Sequence, residues 1–210
     1  MASLPITGAA ISVFCGTANE TMFCATDPVA ARLDELQFDL GEGPRQEAVR
    51  SRRPVLIPYL RDEEHALWPV FGQALQETEA AALFVFPLII GSLDVGVVEL
   101  YRTTPGPLRY EELAAARLLA GKTAWAVLDH VLTLNSAPSA GSSSNGSPLS
   151  RREIHQATGM VIAQTGSTPT QALQLLRAHA FSQERTVREI ALDVVARTLD
   201  FTHIAEPGEK

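Results

Sequence analysis

REIHQATGMVIAQTG, residues 152–166, reads as an amphipathic helix with a glycine in the middle. At about 100° per residue, Ile154, Ala157 and Val161 share one face, with Thr158 and Thr165 on its border. Gly159 falls roughly opposite, among Arg152, His155, Gln156 and Ala163. A glycine there costs about 1 kcal/mol relative to alanine, so a bare strip outside the core stripe needs a reason. Two remain open: a helix packing closely at Gly159 and Ala163, as in a dimer, or a nucleic-acid backbone approaching the strip.

The residues around this helix carry three start signals. Ser150 is followed by Glu153, Thr168 by Gln171 and Thr186 by Glu189, the spacing of a capping box. Leu149 is placed to staple against Ile154, Pro169 sits at a first helical position and Gly166 ends the first helix. On the second helix Ala172, Leu173, Leu175, Leu176 and Ala180 face inward with His179, while Gln174 and Arg177 face out. On the third, Val187, Ile190, Ala191, Val194 and Val195 make the core stripe. Leu192, Ala196 and Leu199 form a second apolar strip suited to a partner contact. A small all-α unit of three helices is expected over 150–202, with a tail over 203–210.

Upstream, NSAPSAGSSSNGSP (135–148) is small, polar and uncharged. It reads as a flexible linker, bounded at 135–149. Before it, residues 1–134 mix strands and helices. AAISVFCGT and ETMFCATD form a hairpin. DPVAARLDELQ is a short helix with Asp27 before Pro28, and GEGP (41–44) turns into a helix from Pro44. VLIPYL is a strand, and LWPVFGQALQET a helix with Pro69 near its start. AALFVFPLII and VGVVELYR are apolar strands joined at GSLD, and residues 109–134 make a long final helix. Strands with flanking helices predict an α+β sheet domain. On the long helix, Leu113, Ala116, Leu119, Ala120, Thr123, Val127 and Val131 form a stripe expected to support a homodimer.

Composition narrows the function. The chain has 210 residues, 46% of them hydrophobic, and a net charge of −7. The first 134 residues hold ten Lys and Arg against 17 Asp and Glu; residues 150–201 hold six Arg against five acids. The acidity lies in the first unit, and the second has only a slight basic bias. No apolar run is long enough for a membrane span, and no signal peptide is read. Two cysteines, Cys15 and Cys24, make no disulfide framework, so a reducing cytoplasm is expected. The two sit on one hairpin, where they are a redox pair or two small apolar residues. His65, His130, His155, His179 and His203 have no zinc spacing. GEGP lacks the Lys-Ser/Thr of a phosphate loop. No enzyme, metal or cofactor is expected.

EIHQATGMVIAQTG, with TPTQALQLLRAHAFSQERTVREIALDVVAR after it, resembles the ANTAR domain, an RNA-binding transcription-antitermination module. The likeness covers 151–199. Many members carry lysine where this chain has Thr158, which removes one charge. LQFDLGEGPRQEAV, PVLIPYL, WPVF and FVFPLIIGSLDVGVVELYR resemble a GAF sensory domain over about 5–134. The pairing implies a signal-responsive regulator that binds paired RNA hairpins in nascent transcripts. Arg151, Arg152, His155, Gln156, Thr158, Gly159, Arg177, Arg185 and Arg188 are then the expected RNA contacts. Trp68, Phe71, Phe84, Phe86 and Tyr101 are the candidates to line a pocket for a small ligand. A sensory adaptor that binds only protein is the alternative; a GAF-type sulfoxide reductase, which uses a cluster of cysteines, fits less well.

Overall fold

The structure is a computed structural model, and it describes residues 4–14, 20–61, 67–136 and 151–202. The chain order is β1 (Gly8–Phe14), β2 (Glu20–Ala25), α1 (Pro28–Leu40), α2 (Pro44–Ser51), β3 (Val55–Ile57), α3 (Pro69–Ala74), β4 (Ala82–Ile90), β5 (Leu93–Arg102) and α4 (Tyr110–Ser136). Then follow α5 (Arg152–Thr165), α6 (Pro169–Ser182) and α7 (Val187–Val195). The strands form one sheet in the order β2-β1-β5-β4-β3, with every pairing antiparallel. The expected α+β architecture and the separate helical unit are both present.

Alternation along β4 and β5 gives the sheet two buried faces. Leu83, Val85, Val97 and Tyr101 point to α1, α2 and α3, where they join Leu33, Ala48 and Phe71. Phe84, Phe86, Leu88, Val98 and Leu100 point the other way, to Ala116, Ala120, Ala124 and Val127 of α4. Gly96 is fixed by space: a Cβ there would lie 2.1 Å from the Ser12 carbonyl oxygen on β1.

Local signals explain most helix ends. The Asp27 carboxylate caps α1 by accepting from Ala30 N at 2.9 Å. That helix runs three residues beyond the expected span, because Phe38 finds cover in the helical unit and Gly41 (φ 67°) closes the end. The GEGP turn serves the fold directly, since Glu42 accepts the Val70 and Phe71 N–H groups, both at 2.8 Å, at the start of α3. The capping boxes at Thr168 and Thr186 are closed in both directions. The first box rests on Ser150 and cannot be followed in the described residues, where α5 has Arg151 at its N-cap with no side-chain cap and Glu153 has a buried, unpartnered Oε2. Ser150, Leu149 and the linker over 137–150 lie outside the described residues.

Most of the stripe expected to support a dimer is the sheet-facing side of α4, while Leu119 stays 44% exposed. Ala116, Ala120 and Val127 are buried against β4 and β5, with Leu113 and Val131 packed on the same cluster. The sheet takes up the buried members of the stripe within the protomer.

Candidate nucleic-acid interface

The three short helices close on one core. Ile154, Ala157 and Val161 of α5 meet Ala172, Leu173, Leu176 and Ala180 of α6 and Val187, Ile190, Ala191 and Val194 of α7. His179 is half-buried, edge-on to Phe201 at 5.4 Å and 2.7 Å from the Gln183 amide nitrogen. The same buried cluster holds one residue from the other unit, Phe38 of α1.

This packing divides the expected RNA contacts. Arg152, Gln156, Gly159 and Ala163 lie exposed along α5. A Cβ built on Gly159 meets nothing within 4 Å, so the strip is bare, as the wheel places it. Thr158 uses its hydroxyl within the helix, donating to the Ile154 carbonyl at 2.7 Å. Arg185 is exposed and pairs with Asp193 at 2.7 Å. Arg188, at the start of α7, is half-buried.

Arg151, His155 and Arg177 turn instead toward the sheet domain. Arg151 is 7% exposed. Its Nη2 donates to Asp34 Oδ2 at 2.5 Å, its Nη1 lies 3.4 Å from Glu20 Oε1, and its Cζ sits 3.7 Å above the Phe38 ring. Arg177 Nε donates to the Phe38 carbonyl at 2.7 Å, and its Cζ lies 5.0 Å from the same ring. Burial pulls the Arg177 guanidinium below its ordinary pKa. His155 is pushed below its usual value by burial, against a hydrogen bond to the Glu20 backbone, and its Nε2 has no partner. The wheel placed Arg177 outward and was right relative to the helical core; the outward side is where α1 sits.

The acidic side of this contact is a buried network that the sequence did not announce. Arg45 of α2 is completely enclosed and bonds Glu99 at 2.9 Å, with Asp34 and Glu20 on its other nitrogens. Gln37 donates to Glu99 at 2.8 Å, and Ser12 donates to Asp34. The three carboxylates hold Arg45 charged well above its ordinary range despite burial. Asp34 therefore bridges two guanidinium groups, one from each unit. Asp39, one turn past Glu35, faces the Val187 N–H at the start of α7, and burial pushes its carboxyl up to about 7. The available sequence signal was Phe38: an aromatic residue off the Leu33–Leu36 stripe of α1, in a helix with too many buried positions for one face.

The five aromatic residues proposed for a ligand pocket do not converge. Trp68, Phe71 and Tyr101 pack on the α1–α3 side of the sheet, and Phe84 and Phe86 pack under α4. Strand alternation separates them, and Phe71, Phe84 and Phe86 are core. The gap between Ala30, Leu33, Leu83 and Tyr101 has no room for water. A cavity of about 540 Å³ lies elsewhere, between α2 and α6, walled by Phe14, Gln46, Val49, Leu173, Gln174 and Arg177. Gln46 Oε1 is buried without a partner. Cys24 is largely exposed and faces Ile11 across the hairpin, and the partial burial of its thiol raises its pKa. Cys15, His65 and His203 lie outside the described residues. Among the described residues no cluster of His, Cys, Asp and Glu is arranged to hold a metal ion, and no helix is long and apolar enough to cross a membrane.

An α+β sheet domain joined to a compact three-helix domain is the class that this fold defines. The GAF domain family model matches residues 2–129 and the ANTAR domain model residues 147–195, so the chain belongs to the GAF family and carries a C-terminal ANTAR domain. The pairing is that of a regulator in which a sensory domain is joined to an RNA-binding antitermination module. Similar solved structures include the GAF domain of a two-component sensor histidine kinase from Bacillus halodurans (13% identity, TM-score 0.47, 61% of this chain and 85% of that one). A GAF domain/HD domain protein from Geobacter sulfurreducens is similar at 16% identity, with a TM-score of 0.45 over 61% and 83% of the two chains. The type II free methionine-R-sulfoxide reductase from Thermoplasma acidophilum is more distant, at 12% identity and a TM-score of 0.41 over 60% and 80%. No curated protein matches the chain.

Proposed function

We propose that the chain binds paired hairpins in nascent RNA through its ANTAR domain, with the GAF domain setting when it does so. The observation that carries this reading is the open strip at Gly159, edged by Arg152 and Gln156. A helix gives up about 1 kcal/mol for a glycine at such a position. What it gains is a surface with no side chain to keep a backbone away. Few arginines touch phosphate in this arrangement. Two or three contacts at about 0.7 each give a salt slope of only about −1.5 to −2 per protomer. Affinity then depends on two domains engaging two hairpins together.

A homodimer supplies the second domain. The outer face of α4 offers the surface: Leu118 is 62% exposed and Trp125, one heptad on, is 64% exposed. Gly121 lies between them with open space where a Cβ would be. Seven-residue spacing of apolar residues is the pattern of a helix pairing with its own copy. For a small ligand the interdomain cavity is the fitting space, since its volume falls in the usual range of about 300–1,000 Å³.

The test is a gel shift with a two-hairpin leader RNA against a scrambled-loop control. The parent is expected to prefer the intact hairpins. Gly159→Glu, which fills the strip and adds repulsion, is expected to lose binding while keeping its circular dichroism. Equal binding by the parent and a folded Gly159→Glu variant would remove this reading. In that case a protein-binding adaptor, for which the exposed Leu192 and Phe181 offer surface, becomes the better description.

A further inference from the structure

We infer that the GAF domain restrains the ANTAR domain by mimicking nucleic-acid phosphate: carboxylate and carbonyl oxygens on and beside α1 occupy Arg151 at the start of α5, Arg177 of α6 and the N-terminal end of α7, so docking and RNA binding exclude each other. The inference rests on the RNA-binding reading and adds its regulation.

The geometry is specific. Arg151 is nearly enclosed, at 7% exposed. One edge of its guanidinium is on Asp34, the other nitrogen faces Glu20, and one flat face is covered by Phe38. A phosphate would take the same two nitrogens, which here go to two different carboxylates. Arg177 is anchored through its Nε to the Phe38 carbonyl and packs over Gly41, with its Nη1 3.1 Å from where a Cβ would stand. At the start of α7 the Val187 N–H points at the Asp39 carboxyl. Helix N-termini take anions because their first N–H groups have no intrahelical acceptor. Three places where RNA phosphate would bind are thus filled by one acidic helix and its neighbour Glu20.

The acidic bias of the first 134 residues, 17 Asp and Glu against ten Lys and Arg, acts in the same direction. While docked, it sets a negative field beside the modestly basic ANTAR face, and that field repels RNA. Undocking frees Arg151, His155 and Arg177 at once and joins them to the exposed Arg152–Gln156–Gly159 strip. Phe38 is the mechanical part of the device. Its ring is buried in the ANTAR core although it belongs to α1, so the two domains cannot separate without exposing it. Arg45 holds Asp34 and Glu20 in place from the GAF side. The acidic pair therefore stays preformed when the ANTAR domain leaves.

The experiment uses the full chain, a two-hairpin leader RNA, and hydrogen exchange read on peptides covering α1 and the start of α7. Phe38→Ala removes the ring that spans the two domains; Glu20→Lys sets a cation against Arg151 and covers the case in which Phe38→Ala fails to fold. Neither residue belongs to the proposed RNA surface. Both variants are expected to exchange faster at residues 33–40 and 186–190, and to bind RNA at least tenfold more tightly than the parent. RNA added to the parent is expected to raise exchange at 33–40 to the level of the variants. A variant that opens by exchange yet binds RNA with the parent's affinity overturns the inference, as does a parent–RNA complex that keeps its α1 protection. If no form of the chain binds the RNA, the RNA reading itself fails and the exclusion falls with it. That outcome is distinct from equal binding by opened and closed forms.

Discussion

Replacing Asp39 with asparagine isolates one titration at the domain contact. The Asp39 carboxyl is pushed from 3.8 up to about 7, first by burial and then by Glu35 one turn earlier on α1. The Val187 N–H from α7 and the charges of Arg151 and Arg32 pull in the opposite direction without cancelling the rise. A carboxyl that holds its proton more tightly in the folded state stabilises that state fully below pH 3.8. The advantage shrinks as pH rises toward 7, where the native group must also ionise, and is gone above it. The whole window spans about three pH units, which caps the effect at about 4 kcal/mol. The stretch from pH 6 to pH 8 covers the upper end of that window. For a native value near 7 and an unfolded value near 4, stability falls by about 1.4 kcal/mol over that stretch. His155 works the other way: burial lowers its pKa, so its contribution is lost as pH falls through its ordinary range. The difference between parent and variant removes that background. The asparagine side chain keeps an oxygen for the Val187 N–H and has nothing to ionise. Urea unfolding at pH 6 and pH 8 should show the parent losing about 1.4 kcal/mol relative to Asp39→Asn. Parallel pH dependence in the two proteins would refute the argument, because the Asp39 carboxyl would then ionise normally against α7.

Gly159→Ala should raise the stability of the ANTAR domain by up to about 1 kcal/mol, read as a higher Tm, because the added methyl meets nothing within 4 Å; RNA affinity should fall. Thr186→Ala opens a capping box closed in both directions and should cost about 1 kcal/mol in urea unfolding. Trp125→Glu places a charge on the outer face of α4, away from the residues packed on the sheet. It should convert a dimer to a monomer by light scattering at tens of micromolar with little change in circular dichroism; an unchanged mass would count against the α4 interface.

The fold was legible where local chemistry and tertiary packing ask for the same thing. Asp27–Pro28, Thr168–Pro169 and Thr186 mark helix starts because their side chains satisfy backbone donors that would be orphaned anywhere. The apolar runs of β4 and β5 read as strands because both faces of the sheet are covered. Reading failed where a pattern has two possible customers. The Leu113–Val131 stripe of α4 is apolar mostly for the sheet, and only the structure shows that Leu119, with Leu118 and Trp125, remains outside the buried cluster. The aromatic set is divided for a related reason. Composition gathers Phe84 and Phe86 with Trp68, Phe71 and Tyr101, but the period of two in a strand sends them to opposite layers.

The interface shows a different limit. A helix wheel describes a residue relative to its own helix, and by that measure Arg177 belongs outside the ANTAR core, as it is. Whether outside means solvent depends on what lies opposite, and α1 lies opposite. Nothing within residues 150–202 encodes that; the clue sits more than a hundred residues earlier, in Asp34, Phe38 and Asp39. An ion pair of this kind costs desolvation on both sides, so Asp34 and Arg151 are poor glue compared with apolar residues of the same size. Their presence makes sense if the contact has to open. An apolar seam would hold the domains permanently, whereas a guanidinium shared between a carboxylate and a phosphate can change partners at a small net cost. The slight basic bias of the ANTAR domain has the same logic: a strongly basic face would leave the acidic GAF domain for any polyanion, and the sensory domain would then have nothing to control.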